Sequence, residues 1–117
     1  MKKRYLITGG SGFIGRAITK SLLEKKNSVS IIDNNFRNKK NNYINDKNLK
    51  IYNIDIRNKK SLRKVFKKID AVIHLAFING TNFFYEQPNL VLEVGIKGII
   101  NTLELCEENK VKEFYLA

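Results

Sequence analysis

Thr8-Gly9-Gly10-Ser11-Gly12-Phe13-Ile14-Gly15 limits what this chain can become more than any other stretch. It follows the apolar run Tyr5-Leu6-Ile7 and opens a segment with helical periodicity. Strand, glycines, then helix is the order a phosphate-cradling turn requires. A pyrophosphate must lie against bare backbone N–H groups at a helix N-terminus, where unpaired donors and the helix dipole favour negative charge. Any Cβ there would hold the ligand off. Gly9 or Gly10 supplies the tight turn at positive φ, Gly12 admits the phosphates closely, and Gly15 lets the helix pack against its strand.

The rest of the chain continues the alternation that this turn begins. Residues 4–8 read as a short buried strand. Residues 13–26 read as a helix with Phe13, Ile14, Ala17, Ile18 and Leu22 on one face and Lys25 and Lys26 in its last turn. Val29-Ser30-Ile31-Ile32-Asp33 is a β-branched strand ending in a carboxylate. Asp33 lies 18 positions after Gly15, the spacing at which a carboxylate meets the adenosine ribose of a dinucleotide. Its ionised oxygens accept hydrogen bonds from both hydroxyls and repel a 2′-phosphate, favouring NAD over NADP, although Arg37 nearby is of the type that binds a 2′-phosphate.

Asn34–Asn48 is polar and reads as a surface loop. It contains Tyr43-Ile44-Asn45-Asp46-Lys47, a Tyr-x-x-x-Lys spacing that would put a phenol and an ammonium on one helix face. A loop after the second strand lies at the adenosine end of the crevice, so this match reads as coincidence.

Residues 49–54 predict a third strand, closed by Asp55-Ile56-Arg57. Asn58 then caps a helix with Leu62, Val65, Phe66 and Ile69 inward. Ala71-Val72-Ile73-His74-Leu75-Ala76 is apolar almost throughout, as in a parallel sheet covered on both faces. His74, the only histidine, reads as a hydrogen-bonded strand-end residue. Residues 77–88 read as a loop. Residues 89–109 read as largely helical with Leu90, Val94, Ile99 or Ile100, Leu103 and Cys106 inward, and with Gly95 and Gly98 marking close backbone approach. Residues 111–117 predict a fifth strand.

Length and composition narrow the alternatives. A chain of 117 residues suits one domain, residues 1–117. No apolar run approaches the roughly 20 residues of a membrane helix, and the apolar segment behind Met1-Lys2-Lys3-Arg4 runs into glycines, so neither a membrane partner nor a signal peptide is expected. A cytoplasmic location is the resulting expectation. Cys106 stands alone, without partners for a disulfide or a metal site. The net charge of +11 raises a nucleic-acid hypothesis. The cations occur in small groups among asparagines, with no run interleaved with aromatics and no helix-turn-helix or zinc-knuckle pattern, so a solvated basic surface is the expected reading.

Together these residues resemble the extended short-chain dehydrogenases, specifically the NAD-dependent epimerase/dehydratase family acting on nucleotide sugars. The likeness rests on TGGSGFIG after the first strand, Asp33-Asn34 after the second, Asp55-Ile56 after the third and His74-Leu75-Ala76 after the fourth, with EVGIKGIINTLE from Glu93 to Glu104 similar to the family's Asn-Val-x-Gly-Thr-x-Asn-Leu-Leu-Glu helix. The resemblance implies an α/β fold of Rossmann type, a doubly wound parallel sheet of about five strands, incomplete at its carboxyl-terminal edge. It implies that Gly9, Gly12 and Gly15, with the backbone of Ser11, Phe13 and Ile14, cradle the pyrophosphate. Asp33 and Asn34 would sit at the adenosine ribose, Asp55 and Ile56 at the adenine edge, and Leu75 and Ala76 beside the nicotinamide ribose.

Two departures carry expectations. Gly95 stands where the family usually has asparagine, and Ile99 replaces its usual threonine. The family's Ser/Thr after the fifth strand and its catalytic Tyr-x-x-x-Lys would lie beyond Ala117, so no catalytic residue is nominated within the chain. The reading is therefore the NAD-binding portion of a nucleotide-sugar epimerase or dehydratase, truncated and inactive alone, its substrate domain absent. A stand-alone NAD(P)-binding or sensing module is the alternative, ahead of a basic nucleic-acid-binding protein. In the usual strand order 3-2-1-4-5-6, loss of the sixth strand would leave the fifth, with Phe114, Tyr115 and Leu116, as an open edge, which predicts self-association.

Overall fold

The computed structural model describes residues 2–34, 46–78 and 81–117. Arg37 and Tyr43, and with them the 2′-phosphate question and the tyrosine of the Tyr-x-x-x-Lys spacing, lie outside the described residues. Five strands, β1 Arg4–Thr8, β2 Ser28–Ile32, β3 Leu49–Tyr52, β4 Ala71–His74 and β5 Glu113–Leu116, form one parallel sheet in the order β3-β2-β1-β4-β5. The register pairs Thr8 with both Ile32 and His74, so the ends of β1, β2 and β4 are level. The chain leaves β1 in one direction for β2 and β3, and in the other for β4 and β5. That reversal opens a crevice at the carboxyl ends, where open α/β sheets place their ligands.

Each sheet face has its own core. One holds Ile7, Leu23, Val29 and Ile31 under α1 Phe13–Glu24. The other holds Leu6, Ile32, Leu62, Phe66, Val72 and Leu105 under α2 Lys59–Arg63 and α5 Gly98–Glu108. Asn27 ties α1 to the sheet, accepting the N–H of Lys3 at 2.9 Å and donating to the carbonyl of Leu22 at 3.1 Å.

Four details differ from the sequence expectations. Phe13 and Ile14 are 92% and 60% exposed and Ala17 is exposed as well, while Gly15, Thr19 and Leu23 face the sheet with Ile18 and Leu22 half-buried. The apolar residues of the first turn belong to the crevice mouth, not to the core. Asn58 caps α2, its Oδ1 accepting from Ser61 N at 3.1 Å, but the helix ends at Arg63. Bonds from Lys64, Val65 and Phe66 back to Ser61, Leu62 and Arg63 tighten the next turn into i−3 geometry, which still buries Phe66 and Ile69.

The stretch read as a loop at 77–88 contains α3 Thr81–Glu86, and Pro88 opens α4 Pro88–Leu92 at its first position. Between α4 and α5 the chain makes a π-helical turn, Glu93–Lys97. The extra residue of such a turn shifts the repeat. Gly98, Thr102 and Leu105 therefore point inward with Cys106, and Ile100 and Leu103 are exposed. Thr102 satisfies its buried hydroxyl on the Gly98 carbonyl at 2.7 Å. β5 is the outer strand, with Tyr115 and Leu116 more than half exposed. Among the described residues no helix is long and apolar enough to cross a membrane.

Candidate functional site

Gly9 is the pivot of the crevice. Its φ is +72°, its N–H donates to the Ile32 carbonyl at 2.7 Å, and a Cβ on it would lie 2.9 Å from the backbone nitrogen of Ala76. The positive φ and the backbone contact both require glycine. Gly10 is pressed on Ile31, and a Cβ at Gly15 would sit 2.6 Å from Gly10 Cα, so the start of α1 lies directly on the turn. Gly12 is the N-cap in extended conformation, with no side-chain cap and no acidic residue in the first turn of α1. The helix start thus opens on the crevice, with the Asp33 carboxylate at the adjoining Ser11 N–H.

The β1 end is locked to β4 by Thr8, which is fully buried. Its hydroxyl oxygen accepts the N–H groups of Leu75 at 3.1 Å and Ala76 at 3.2 Å. The hydroxyl is also hydrogen-bonded to His74 Nδ1 at 2.8 Å. Burial pushes the His74 pKa down to about 4, and its ring stacks on Phe114 at 6.2 Å. This is the hydrogen-bonded strand-end role expected from the sequence.

On the β2 and β3 side the walls are polar. Asp33 Oδ2 accepts the N–H of Ser11 at 3.1 Å, tying the end of β2 to the glycine turn. Asp55 is held by Arg57: Nε lies 3.0 Å from Oδ1 and Nη2 2.7 Å from Oδ2, while Nη1 reaches Glu93 Oε2 at 3.0 Å. Asn34 adds a side-chain hydrogen bond to Asp55. The Arg57 guanidinium, followed by its own backbone N–H and the Asn34 amide, holds the Asp55 carboxyl below its ordinary range against the opposing effect of burial. The Ile56 carbonyl is pinned by Asn101 Nδ2 at 2.9 Å, and Gly98 leaves the space that the Ile56 side chain fills.

Gly9, Gly12, Phe13, Ile14, Gly15, Asp33, Asn34, Asp55, Ile56, Leu75 and Ala76 all line one cleft of about 810 Å³. Of the residues nominated from the sequence only Ser11 is not in that lining. It is buried behind the turn and contributes its N–H to Asp33. Sequence reasoning missed Ile32, Ile54, Phe77, Ile78, Val94 and Ala117 in the lining. Most adjoin nominated strand ends, whereas Val94 arrives on the π-helical turn, for which Gly95 and Gly98 were the available signal. A turn that a Cβ would fill, an uncapped helix start and a carboxylate at the next strand end form a set that fits a ligand with a pyrophosphate and a sugar diol.

The sequence profile of the NAD dependent epimerase/dehydratase family matches residues 5–117. The chain belongs to that family. Within the family, a UDP-N-acetyl-alpha-D-glucosaminuronate decarboxylase of Bacillus cytotoxicus is 34% identical over 116 residues, 98% of this chain and 36% of its own length. A solved epimerase of Methanothermobacter thermautotrophicus aligns with a TM-score of 0.94 at 30% identity, covering 98% of this chain and 34% of that one. A UDP-glucose 4-epimerase of Thermus thermophilus, solved in complex with NAD, aligns with a TM-score of 0.84 at 31% identity, covering 95% of this chain and 36% of that one. The chain spans about a third of the length of these relatives.

Proposed function

We propose that this chain is the NAD-binding part of an enzyme that acts on a nucleotide sugar. The observation that carries the reading is the single cleft in which the glycine turn, the α1 start and the Asp33 carboxylate converge. NAD, when bound, supplies a hydride acceptor for a sugar carbon. The chain's own residues bind and orient it. The backbone at Gly9, Gly12 and Gly15 admits the pyrophosphate to the α1 N-terminus. Asp33, its carboxylate already oriented by Ser11 N–H, accepts the adenosine ribose hydroxyls and repels a 2′-phosphate, which selects NAD over NADP. Ile54 and Ile56 form the apolar floor for adenine, and the polar mesh of Asn34, Asp55 and Arg57 holds that floor in place.

The test is calorimetric titration of the chain with NAD and NADP. Asp33→Ala is expected to weaken NAD by about tenfold, the order of one lost charge-assisted hydrogen bond, and to narrow the gap to NADP. Equal affinities of the unaltered and altered chains for both nucleotides would remove Asp33 from the site.

A further inference from the structure

Away from the crevice, the sheet carries a second concave surface with a different chemistry. β2 alternates, with Val29 and Ile31 in the core under α1 and Ser28 and Ser30 on the opposite face. β3 does the same, Leu49 and Ile51 packing with that core while Lys50 and Tyr52 fall opposite. The register sets Arg4 beside Ser28, Ser30 beside Lys50 and Ile32 beside Tyr52. Small hydroxyl side chains where a covered sheet would carry apolar ones leave a trough of about 320 Å³ between these strands and the turn after α2. Five cations line it: Arg4 on β1, Lys47 and Lys50 around the start of β3, and Lys64 and Lys67 beyond α2. Among the described residues no carboxylate is in the lining. Asp46 and Asp70 stand nearest in sequence, and each accepts a backbone N–H, from Asn48 at 2.8 Å and from Arg4 at 2.8 Å. On the other side of α2, Lys59 and Arg63 meet Glu104 and Glu108 of α5, whereas no ion pair among the described residues takes any of the five. Like charges brought together from three separate stretches of chain work against the compact state, so folding alone does not account for them.

We propose that this trough is a second anion site, for a compact ligand that carries two or three closely spaced phosphate groups. Such a ligand needs several cations and several donors at once. Arg4 offers a planar fork, the lysines offer point charges on flexible stems, and the hydroxyls of Ser28 and Ser30 offer donors on the floor. The volume is that of a small-molecule cavity. A nucleic-acid strand would call for a run of stacking rings. Here Tyr5 is packed into the core under α1, which leaves Tyr52 as the aromatic side chain on the trough's face among the described residues. The trough shares no lining residue with the crevice, so the proposal stands independently of the cofactor reading.

The experiment titrates the whole chain, labelled with nitrogen-15, with inorganic tripolyphosphate and follows its amide signals. Saturable shifts are expected at Ser28, Ser30, Lys50 and Lys64. Shifts confined to residues 9–15 would put the anion at the glycine turn and overturn the proposal, as would the absence of saturable binding. Calorimetry then compares two double variants that remove the same charge, Lys50→Gln with Lys64→Gln at the trough and Lys20→Gln with Lys25→Gln on the exposed side of α1. The first is expected to weaken tripolyphosphate by about tenfold, the order of one lost charge-assisted hydrogen bond. The second is expected to stay within about twofold, the scatter of independent sites. Equal losses would mean that net charge, not the trough, holds the anion. Ser30→Val keeps every charge, suits a strand and takes away a floor donor, so it carries the test if the trough variant fails to fold, with a weaker tripolyphosphate affinity expected. Hexaglutamate binding as tightly as tripolyphosphate would overturn the preference for phosphate. A single-stranded oligothymidylate that shifts the same amides at lower concentration would overturn the compact ligand in favour of a nucleic acid.

Discussion

The two walls of the cleft are held by different physics. On the β2 and β3 side, Asp33 is oriented by Ser11, and Arg57 holds Asp55 while reaching Glu93, 36 positions further along the sequence. On the β4 side the side-chain hydrogen bonds among the described residues are those of Thr8 with His74 and with the N–H groups of Leu75 and Ala76, and the wall beyond, Leu75, Ala76, Phe77 and Val94, is held by packing and by glycines without side chains. Hydrogen bonds fix directions, whereas packing fixes distances and tolerates a moving ring. Under the proposed function, the fixed wall would hold the adenosine half of NAD and the more yielding wall its other half.

The hardest way to break the comparison is at the junction of the two walls. Gly9→Val puts a β-branched side chain at φ +72° and 2.9 Å from a backbone nitrogen that cannot turn aside. Backbone strain and overpacking together are expected to cost about 4 kcal/mol of folding stability. Urea denaturation measures it, and a loss no larger than that of an exposed substitution on α1 would show that the walls are not coupled through Gly9.

Next in size is the pH response of the β4 lock. His74 is held neutral with a pKa near 4 against an ordinary value of 6.5. Between these limits the unfolded chain binds the proton and the folded chain does not, so stability is full above about pH 6.5 and falls as the pH drops toward 4. The loss across that window is expected to be about 3 kcal/mol. Denaturation midpoints taken between pH 7 and 4 test this, with His74→Gln expected to flatten the profile. An unchanged slope in that variant would assign the acid sensitivity to other groups.

The polar wall was more legible in the sequence than the apolar one. Asp33 is recognisable because it ends a β-branched strand at a spacing from the glycines fixed by chain geometry, Asn34, Asp55 and Ile56 through the family resemblance, and Gly9, Gly12 and Gly15 because backbone access needs glycine. Asn58 was legible as a cap for a similarly local reason. What escaped were contacts between distant segments. Nothing near Arg57 says that Glu93 will meet it, and nothing near Phe77 says that a glycine will lie under its ring. The inward face of α1 was misread because Phe13 and Ile14 satisfy the helical repeat while serving the cleft. The face of α5 was displaced by the π-helical turn, which no propensity encodes.

The smallest expected effect separates the polar wall from ordinary surface charge. Arg57 grips Asp55 through two nitrogens, with both side chains about one-third exposed, whereas Arg63 meets Glu108 across the α2 and α5 surfaces with both about half exposed. Arg57→Ala is expected to cost about 1 kcal/mol, the upper end for a partly screened bidentate pair, and Arg63→Ala less. The signs of titration also differ in a measurable way. Asp55 is held below its ordinary pKa chiefly by the Arg57 hydrogen bonds, so it contributes stability above its unfolded pKa that is lost as the pH falls through the lower folded one. Removing Arg57 should move the Asp55 titration upward in a carbon-detected NMR experiment and shift the Ile56 amide with it, because the same loop carries both. A large stability loss with the Asp55 titration unmoved would mean that Arg57 acts through Glu93 and the π-helical turn, and that this wall of the cleft is held by packing after all.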